Sequence, residues 1–345
     1  MPEMVQAIIK EAALQKTYLN ESVETIYFGG GTPSLIIIDD LKLMIASVKN
    51  IFKVTDDAEI TLEANPDDIT EEKLIEWKSA GINRLSIGIQ SFADEDLIWM
   101  NRAHNASHAL HCLQQATKCF NNISIDLIYG TPTLSDEQWK KNIATALSFN
   151  IPHLSCYALT VEPKTTLNKL IIQHKKENVD ADKQARHFEI LMQCLNNAGY
   201  EHYEISNFAK PDYRSKHNSS YWKGLPYLGL GPSAHSFNRT SRQWNITNNA
   251  LYIKSVDQNN IPFEIEILTP AQQLNEFIMI GLRTKEGINF NDERWIMTDD
   301  SIKKNILTLA KKWEVQNKIL ITEKFLQLTD KGKFLADGIA ADLFQ

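Results

Sequence analysis

The stretch Ile26-Tyr27-Phe28-Gly29-Gly30-Gly31-Thr32-Pro33 decides how this chain is organised, because an apolar strand runs there into three glycines and a threonine–proline corner. Three residues without side chains let a ligand approach the backbone closely and permit positive φ angles. In α/β folds such a loop lies at the carboxyl ends of strands, where ligands bind. The spacing fits neither a dinucleotide fingerprint nor a phosphate loop. It indicates either another kind of binding loop or a tight strand-to-helix turn.

Strand-like and helical segments alternate on either side of this stretch. The further strands predicted are Glu59–Ala64, Arg84–Gln90, Ile123–Tyr129 and His153–Leu159. The helices predicted are Glu3–Leu19, Asp39–Phe52, Thr70–Ala80, Ser107–Phe120 and Asp136–Phe149. Repeated β/α units with short turns predict a parallel sheet. Without a dinucleotide fingerprint, they favour a full or partial barrel of the TIM type over a doubly wound sheet.

Polar residues recur where these strands end. Glu63, Gln90 and Asp126 lie at or near strand ends, and Gly130-Thr131-Pro132 forms a turn beyond one of them. Polar groups repeated at one rim are expected to line a pocket. Arg102 could supply the positive charge that a carboxylate ligand needs. The alternative is that each polar residue caps a helix or completes a turn, and that Arg102 is solvated.

The chain changes character after residue 178. A helix at Asp182–Ala198 and a strand at Tyr200–Phe208 precede a loop-like region rich in aromatic residues, glycine and histidine. From Thr269 on, helical segments surround an apolar hairpin, Ile319–Leu328, and a final helix, Asp330–Leu343, follows it. This order resembles a winged-helix module of mixed α and β structure. We therefore expect a barrel-type domain over residues 1–240 and a C-terminal domain over 241–345.

The composition excludes several classes of protein. The chain has 345 residues, 43% of them hydrophobic, and a net charge of −7. No long basic run offsets that charge, which argues against a nucleic-acid partner. No apolar run is long enough to span a membrane, and the start does not resemble a signal peptide, so we expect a cytoplasmic location.

The cysteines and histidines do not predict a metal site. The four cysteines show no paired spacing, which also argues against a disulfide framework. His108 and Cys112 share a helical face near His104 and His111, at a spacing that could hold zinc. A partly exposed helix with scattered histidines explains this pattern more simply, and we predict no metal site there.

Several motifs occur together and in one order. They are Phe28–Ser34 (FGGGTPS), Glu63–Pro66 (EANP), Ser86–Phe92 (SIGIQSF), Asn101–His104 (NRAH) and Ile125–Gly130 (IDLIYG). In this order they resemble the radical S-adenosylmethionine (radical SAM) family that contains oxygen-independent coproporphyrinogen III oxidase and the HemW-type heme chaperones. The resemblance extends over nearly the whole chain. It implies a partial (β/α)6 TIM-like barrel with S-adenosylmethionine across the carboxyl ends of the strands.

The resemblance also implies roles for particular residues. The positions it assigns to S-adenosylmethionine are Gly30, Gly31, Thr32, Glu63, Gln90, Arg102, Asp126 and Ala158. Gly30 to Thr32, with Glu63 nearby, would hold the methionine amino end, and Arg102 would bind the carboxylate. Gln90 and Asp126 would contact the ribose, and Ala158 would pack by the adenine. These residue types suit a zwitterionic cofactor, which needs hydrogen-bond acceptors for its ammonium group and a planar cation for its carboxylate.

The sequence departs from the family in one large respect. In the family, the loop after the first barrel strand carries a Cys-x-x-x-Cys-x-x-Cys motif that holds a [4Fe-4S] cluster. This chain starts at the helix after that loop, so the first strand and the three ligands are absent from it. We expect this chain not to bind the cluster, which leaves no electron source for radical formation. A truncated product or internal start is the interpretation we favour; a natural cluster-free relative is the alternative.

Two features bear on which branch of the family the chain resembles. Glu63-Ala64-Asn65-Pro66 resembles the chaperone branch, whereas the oxidase branch shows Glu-x-Asp-Pro-Arg. His217 stands in a His-Asn-x-x-Tyr-Trp motif that resembles the one linked to heme binding in the chaperones, and histidine is a common axial ligand. Oxidases share this motif, so it separates the two branches poorly. The alternative role for His217 is a hydrogen-bonded structural histidine. Gly130-Thr131-Pro132 departs from the usual Gly-Leu-Pro of the family.

The resemblance therefore predicts a heme chaperone that binds heme and S-adenosylmethionine and delivers heme to acceptor proteins. The alternative is an oxygen-independent coproporphyrinogen III oxidase, which decarboxylates porphyrinogen propionates. The expected partners are heme and heme-acceptor proteins. We expect no nucleic-acid partner and no membrane span, and peripheral contact with membrane hemoproteins is left open.

Overall fold

The structure is a computed structural model and describes residues 2–345. Its strands are β1 (Val23–Phe28), β2 (Val54–Ala64), β3 (Arg84–Gln90), β4 (Ile123–Tyr129), β5 (His153–Ala158), β6 (Glu201–Glu204), β7 (Asn207–Ala209), β8 (His235–Phe237), β9 (Ser241–Asn245), β10 (Phe263–Ile267), β11 (Ile288–Asn289), β12 (Ile319–Ile321) and β13 (Phe325–Leu328). Its helices are α1 (Pro2–Leu14), α2 (Ile38–Ile51), α3 (Glu71–Ser79), α4 (Asp94–Trp99), α5 (Ala106–Cys119), α6 (Asp136–Ser148), α7 (Thr166–Ile172), α8 (Ala181–Asn197), α9 (Lys216–Trp222), α10 (Asn249–Asp257), α11 (Pro270–Leu282), α12 (Glu293–Ile296), α13 (Asp300–Val315), α14 (Asp330–Lys333) and α15 (Ala336–Asp342).

A seven-stranded sheet in the order β1-β2-β3-β4-β5-β7-β6 forms the main framework. The neighbours from β2 to β5 are parallel, and α-helices lie between them in sequence. β7 pairs antiparallel with β5, and β6 pairs antiparallel with β7 at the end of the sheet. The α/β fold with a parallel sheet, predicted from the alternation of segments, is confirmed.

Polar caps start the helices between the parallel strands. The side chains of Thr70, Asn105 and Ser135 each accept a hydrogen bond from a backbone N–H of the first turn of α3, α5 and α6. Such caps satisfy donors that a helix start leaves without a partner. Helices α3 and α6 begin a few residues after β2 and β4, whereas α4 lies between β3 and α5.

The chain divides into two compact units that alternate along the sequence. One unit comprises the residues up to Ile26, Ile37–Glu59 and Lys216–Gln345. The other comprises Tyr27–Ile36 and Ile60–Ser215. The domain boundary expected at residue 240 stays a prediction. Over residues 2–345, no helix combines the length and the apolar character that crossing a membrane requires.

Three segments differ from the sequence-based expectation. Tyr200–Phe208 is not one strand but the antiparallel hairpin of β6 and β7, whose turn is held by Glu204 accepting from Ser206 N–H at 3.0 Å. The expected loop around His217 is helix α9. The expected last helix is divided into α14 and α15. The hairpin turn and the start of α9 depend on hydrogen bonds to Glu204 and Glu59, which leave no periodic pattern in the sequence.

The C-terminal region has the predicted winged-helix-like arrangement. β11, β13 and β12 form an antiparallel sheet, and the predicted hairpin is β12 with β13. Along the chain, α11 precedes β11, α13 precedes β12 and α15 follows β13, and α11 contacts α15. The mixed α and β character expected from the sequence is confirmed.

A buried carboxylate on α1 organises the unit that contains the chain's amino-terminal helix. Glu11 is 0% exposed. It accepts hydrogen bonds from Tyr252 Oη, from Asn245 Nδ2 at 2.6 Å and from Gly231 N–H at 2.8 Å. Burial raises the pKa of Glu11, against the effect of these donors. One side chain thus connects α1 with β9, α10 and the loop before β8.

Replacing Glu11 by alanine is expected to lower the free energy of unfolding by about 3 kcal/mol, because several buried donors lose their acceptor at once. Urea unfolding followed by circular dichroism measures this. Glu3→Ala is the control, since Glu3 is an exposed residue of the same helix. Equal stability of the two variants would contradict the role given to Glu11.

Candidate functional site

One face of the parallel strands is lined by polar and small residues. The register places Glu63 of β2 opposite Ser86 of β3, and Asp126 of β4 opposite Ser155 of β5. Alternate residues of a strand share a face, so this face of β3 carries Arg84, Ser86, Gly88 and Gln90. The opposite face of β3 consists of Leu85, Ile87 and Ile89, all 0% exposed. The apolar face forms the core, and the polar face is available for a site.

The glycine loop follows β1 and is held by Glu63. Gly30 and Gly31 have φ angles of +74° and +63°, which favour glycine, and nothing lies within 4 Å of where a Cβ would stand. Gly30 N–H donates to Glu63 Oε2 at 3.2 Å, and Tyr27 Oη donates to Glu63 Oε1 at 2.6 Å. The loop therefore presents open backbone next to a fixed carboxylate.

Arg102 lies on the same face, above Gly88. Its Nη2 donates to Asn65 Oδ1 at 3.2 Å, and a Cβ on Gly88 would stand 2.9 Å from Gln90 Nε2 and 3.5 Å from Arg102 Nη2. Gln90 has a φ of +65°, an uncommon backbone state that occurs often at functional sites. Among residues 2–345, the Arg102 side chain has only this amide oxygen as a hydrogen-bond partner and forms no salt bridge with an acidic side chain. A half-buried guanidinium of this kind suits an anionic ligand.

Arg102 is positioned by its own loop. Its backbone N–H donates to Leu97 C=O at 2.8 Å. Two residues later, the buried ring of His104 has Nε2 3.0 Å from Ile89 C=O, next to Gln90. Burial lowers the pKa of His104, so its neutral ring donates to that carbonyl. The loop after α4 is thus attached to the end of β3.

Asp126 is the carboxyl group of the site whose pKa lies near neutral pH. Burial raises its pKa to about 7, and repulsion by Glu63 adds to the effect. A hydrogen bond with Ser155 and the charges of Arg84 and Arg102 oppose the rise. Asp126 therefore exchanges its proton near neutral pH. A cation bound beside it would favour its charged form.

The turn after β4 explains a departure noted in the sequence. Thr131 stands where the resembled family has leucine, and its hydroxyl donates to the buried Asp96 at 3.1 Å. Ser91 and Thr133 donate to the same carboxylate at 2.8 and 2.5 Å. Here a hydrogen-bond network holds the turn.

Gly130 of the same turn is held by a buried histidine. Its N–H donates to His187 Nδ1 at 3.2 Å, and a backbone N–H can only donate. The neutral ring therefore carries its proton on Nε2, which donates to Asp136 Oδ1 at 3.1 Å. Burial lowers the pKa of His187 and so favours this neutral form.

The structure brings most of the residues assigned by the resemblance to one region. Gly30 and Glu63 are in direct contact, Gln90 and Arg102 lie together over Gly88, and charge interactions connect Asp126 with both groups. Gly31 and Thr32 continue the loop, and Ala158 ends β5 opposite Tyr129 of β4. Their roles toward a ligand stay predictions.

Tyr27 and Ser155 are the site residues that sequence reasoning missed. Tyr27 donates to Glu63, and Ser155 is hydrogen bonded to Asp126. Both could have been found from the alternation of side chains along a strand, because residues two apart lie on the same face. Tyr27 precedes the glycines by two residues, and Ser155 lies within a strand already predicted.

His217 lies on α9, which begins at a buried carboxylate. Glu59 accepts the backbone N–H groups of Lys216 and His217 at 3.1 and 3.0 Å. Both ring nitrogens of His217 are engaged, Nδ1 with Thr25 Oγ1 at 2.9 Å and Nε2 with Tyr221 Oη at 3.0 Å. The structural role considered from sequence therefore has defined partners. A ligand at either nitrogen must replace one of them.

The described residues do not fit an iron–sulfur cluster. Within residues 2–345, no group of three or more histidine, cysteine or acidic side chains could hold a metal ion. Burial raises the pKa of Cys112 and Cys156, which disfavours the thiolate that a metal needs. The zinc arrangement considered around Cys112 is likewise not formed. The parallel sheet and its polar strand ends together define a TIM-type partial barrel with a candidate site at the carboxyl ends of its strands.

Comparisons with known proteins identify the family. The Radical SAM superfamily model matches residues 3–146, and the HemN C-terminal domain model matches residues 268–335. The heme chaperone HemW of Bacillus subtilis is 33% identical over 343 residues, covering 98% of this chain and 88% of that protein. HemW of Lactococcus lactis is 30% identical over 352 residues, with coverages of 97% and 90%. The chain belongs to the HemW family of radical SAM proteins.

A solved structure supports the fold. Coproporphyrinogen III oxidase (HemN) from Escherichia coli superposes with a TM-score of 0.83 and 21% identity, covering 100% of this chain and 83% of that one. At that identity the likeness concerns the fold alone. It confirms the partial barrel predicted from the sequence.

Asp126→Asn is expected to reduce the dependence of stability on pH. A carboxyl whose pKa is higher in the folded protein holds its proton more tightly there, so stability falls as pH rises from the ordinary value of 3.8 to about 7. The variant should lose this part of the decline. Urea unfolding across that range measures it, with exposed Asp212→Asn as control. Parallel pH profiles of variant and wild type would contradict the raised pKa.

Proposed function

We propose that this chain acts as a heme chaperone that binds S-adenosylmethionine at the strand ends and heme near His217, and passes heme to acceptor proteins. The similarity to proteins named heme chaperone HemW over 98% and 97% of the chain carries this proposal. The oxidase alternative has in its favour the likeness of fold to HemN and the match of residues 268–335 to the HemN C-terminal domain model. The cytoplasmic location expected from the sequence stays a prediction.

The polar face of the sheet suits a zwitterionic cofactor. Glu63 and the open backbone of Gly30 and Gly31 offer acceptors to an ammonium group, and Arg102 offers a planar pair of donors to a carboxylate. Gln90 and Asp126 offer hydrogen-bonding groups to ribose hydroxyls. When bound, S-adenosylmethionine supplies a reactive sulfonium; the residues described here bind and orient it.

The surroundings of His217 suit a flat aromatic ligand. Tyr221 is 38% exposed and contacts the rings of His217 and Tyr227 edge to face, at 4.9 and 4.8 Å. Thr25 fixes Nδ1, so Nε2 is the nitrogen that a heme iron would reach by replacing the Tyr221 hydroxyl. Aromatic side chains beside a histidine can stack on a macrocycle.

Arg102→Ala is expected to weaken S-adenosylmethionine binding roughly tenfold or more, because the carboxylate loses a charged, forked donor. Arg102→Lys should retain part of the affinity, since it keeps the charge without the fork. Isothermal titration calorimetry measures both. Arg186→Ala is the matched control, because that arginine is 52% exposed and pairs with Asp136. An affinity unchanged in Arg102→Ala would contradict the assigned site.

His217→Ala is expected to abolish the shift of the heme Soret band that titration of wild type produces, because the axial nitrogen is removed. Tyr221→Phe should keep the shift, since it retains the ring and removes only the competitor for Nε2. Thermal unfolding of both variants separates loss of ligation from loss of fold. A normal shift in folded His217→Ala would place the heme ligand elsewhere, whereas no shift in wild type would contradict heme binding itself.

A further inference from the structure

β10 is an edge strand whose apolar side chains face water. In the sheet of order β10-β9-β8 it has a strand neighbour only at β9, as far as residues 2–345 are concerned. Its sequence, Phe263-Glu264-Ile265-Glu266-Ile267, alternates apolar and acidic residues. The side chains of Phe263, Ile265 and Ile267 are 41%, 53% and 70% exposed. Alternation usually buries the apolar face of a strand, but here that face is open.

The backbone of the same residues points to the open edge. Phe263 lies opposite Asn245 in the register, and Leu268 N–H donates to Thr240 C=O just beyond the strand. Hydrogen-bonded positions alternate along an antiparallel pair. The even-numbered residues therefore turn their N–H and C=O groups towards β9. The odd-numbered, apolar residues turn their N–H and C=O groups outward. Such a row of unpaired backbone groups can pair with another strand, and proteins usually cover or interrupt it.

The other face of the strand is acidic. Glu264 is exposed and Glu266 half-buried. Arg242 lies opposite Glu266, but its Nη2 pairs with Glu276 Oε1 at 2.5 Å. Three carboxylates therefore accompany one guanidinium at this place. A strand added beside β10 would bring its side chains next to them.

We propose that β10 is a docking edge for an extended segment of a partner protein in which apolar and basic residues alternate. The segment adds a strand to the sheet through the outward N–H and C=O groups of Phe263, Ile265 and Ile267. Its apolar side chains cover those three side chains, and its basic side chains lie beside Glu264 and Glu266. Main-chain bonds give the affinity and the charges give the register.

The charges favour such a partner over a second copy of this chain. In a fully overlapped antiparallel pair of two β10 strands, Ile265 would face its own copy, and Glu264 of each strand would face Glu266 of the other. Like charges directly opposite each other are destabilising. A basic, alternating segment meets the same edge with opposite charges.

The test uses a fluorescein-labelled peptide of about eight residues, roughly one strand in length, that alternates lysine and valine. Fluorescence anisotropy with the whole chain should show saturable binding. The same peptide with glutamate for lysine should bind at least about tenfold more weakly. Equal binding of the two peptides, or none of the lysine peptide, would overturn the proposal.

Two variants assign the binding to β10. Ile265→Pro removes an outward N–H and should lower the affinity about tenfold or more, whereas Ile265→Val should keep it. Glu264→Lys should remove most of the preference for the lysine peptide, because two carboxylates would then stand beside two cationic groups. The change leaves the strand backbone intact, so it is the deciding variant if Ile265→Pro fails to fold. Val315→Lys is the control for a charge at an exposed apolar position, since Val315 is 82% exposed.

Sedimentation velocity tests whether a second copy of this chain occupies the β10 edge. The chain should stay monomeric at concentrations where the lysine peptide binds. Self-association that is lost in Ile265→Pro would overturn the proposal in favour of a second copy. Peptide binding that persists unchanged in both Ile265→Pro and Glu264→Lys would also overturn it, since the peptide would then lie elsewhere.

Discussion

The register of the parallel strands is the constraint on which the site depends. Because Glu63 pairs with Ser86, and Asp126 with Ser155, side chains far apart in sequence lie on one face and near one edge. A shift of a single residue would turn all of them towards the helices. The apolar residues of β3, fully buried on the other face, prevent that shift. The hydrophobic core thus fixes the place of the polar groups.

Within this framework the site is arranged around two opposite charges. Glu63 is held by Tyr27 and Gly30, and Arg102 is held by Asn65 and its own loop. Each charge has neutral hydrogen-bond partners, which fix its position without neutralising it. Groups held in this way would lose little conformational entropy on binding the zwitterion proposed above. The positive φ angle of the Gln90 backbone is consistent with a site whose geometry is imposed by its surroundings.

Buried polar networks behind the site keep its loops in place. Asp96 collects hydroxyl groups from the turns after β3 and β4, and His187 of α8 holds Gly130. These groups are hydrogen bonded, so their burial stabilises one arrangement of the loops. In the other unit, Glu11 connects α1 with its neighbours through hydrogen bonds, and Glu59 accepts hydrogen bonds from the start of α9. Both units therefore position their loops with carboxylates that are buried and well supplied with donors.

The sequence by itself determined the parallel sheet and the glycine loop, because period-two and helical patterns, glycines and strand ends are local signals. It also pointed to most residues of the candidate site, whose roles toward a ligand stay predictions. The family followed from the order of short motifs. Only the tertiary structure decided that Tyr27 reaches Glu63, that Thr131 binds Asp96 and that both nitrogens of His217 have partners. It also decided that the apolar face of β10 is exposed. Those facts depend on contacts between residues distant in sequence, and no local pattern encodes them.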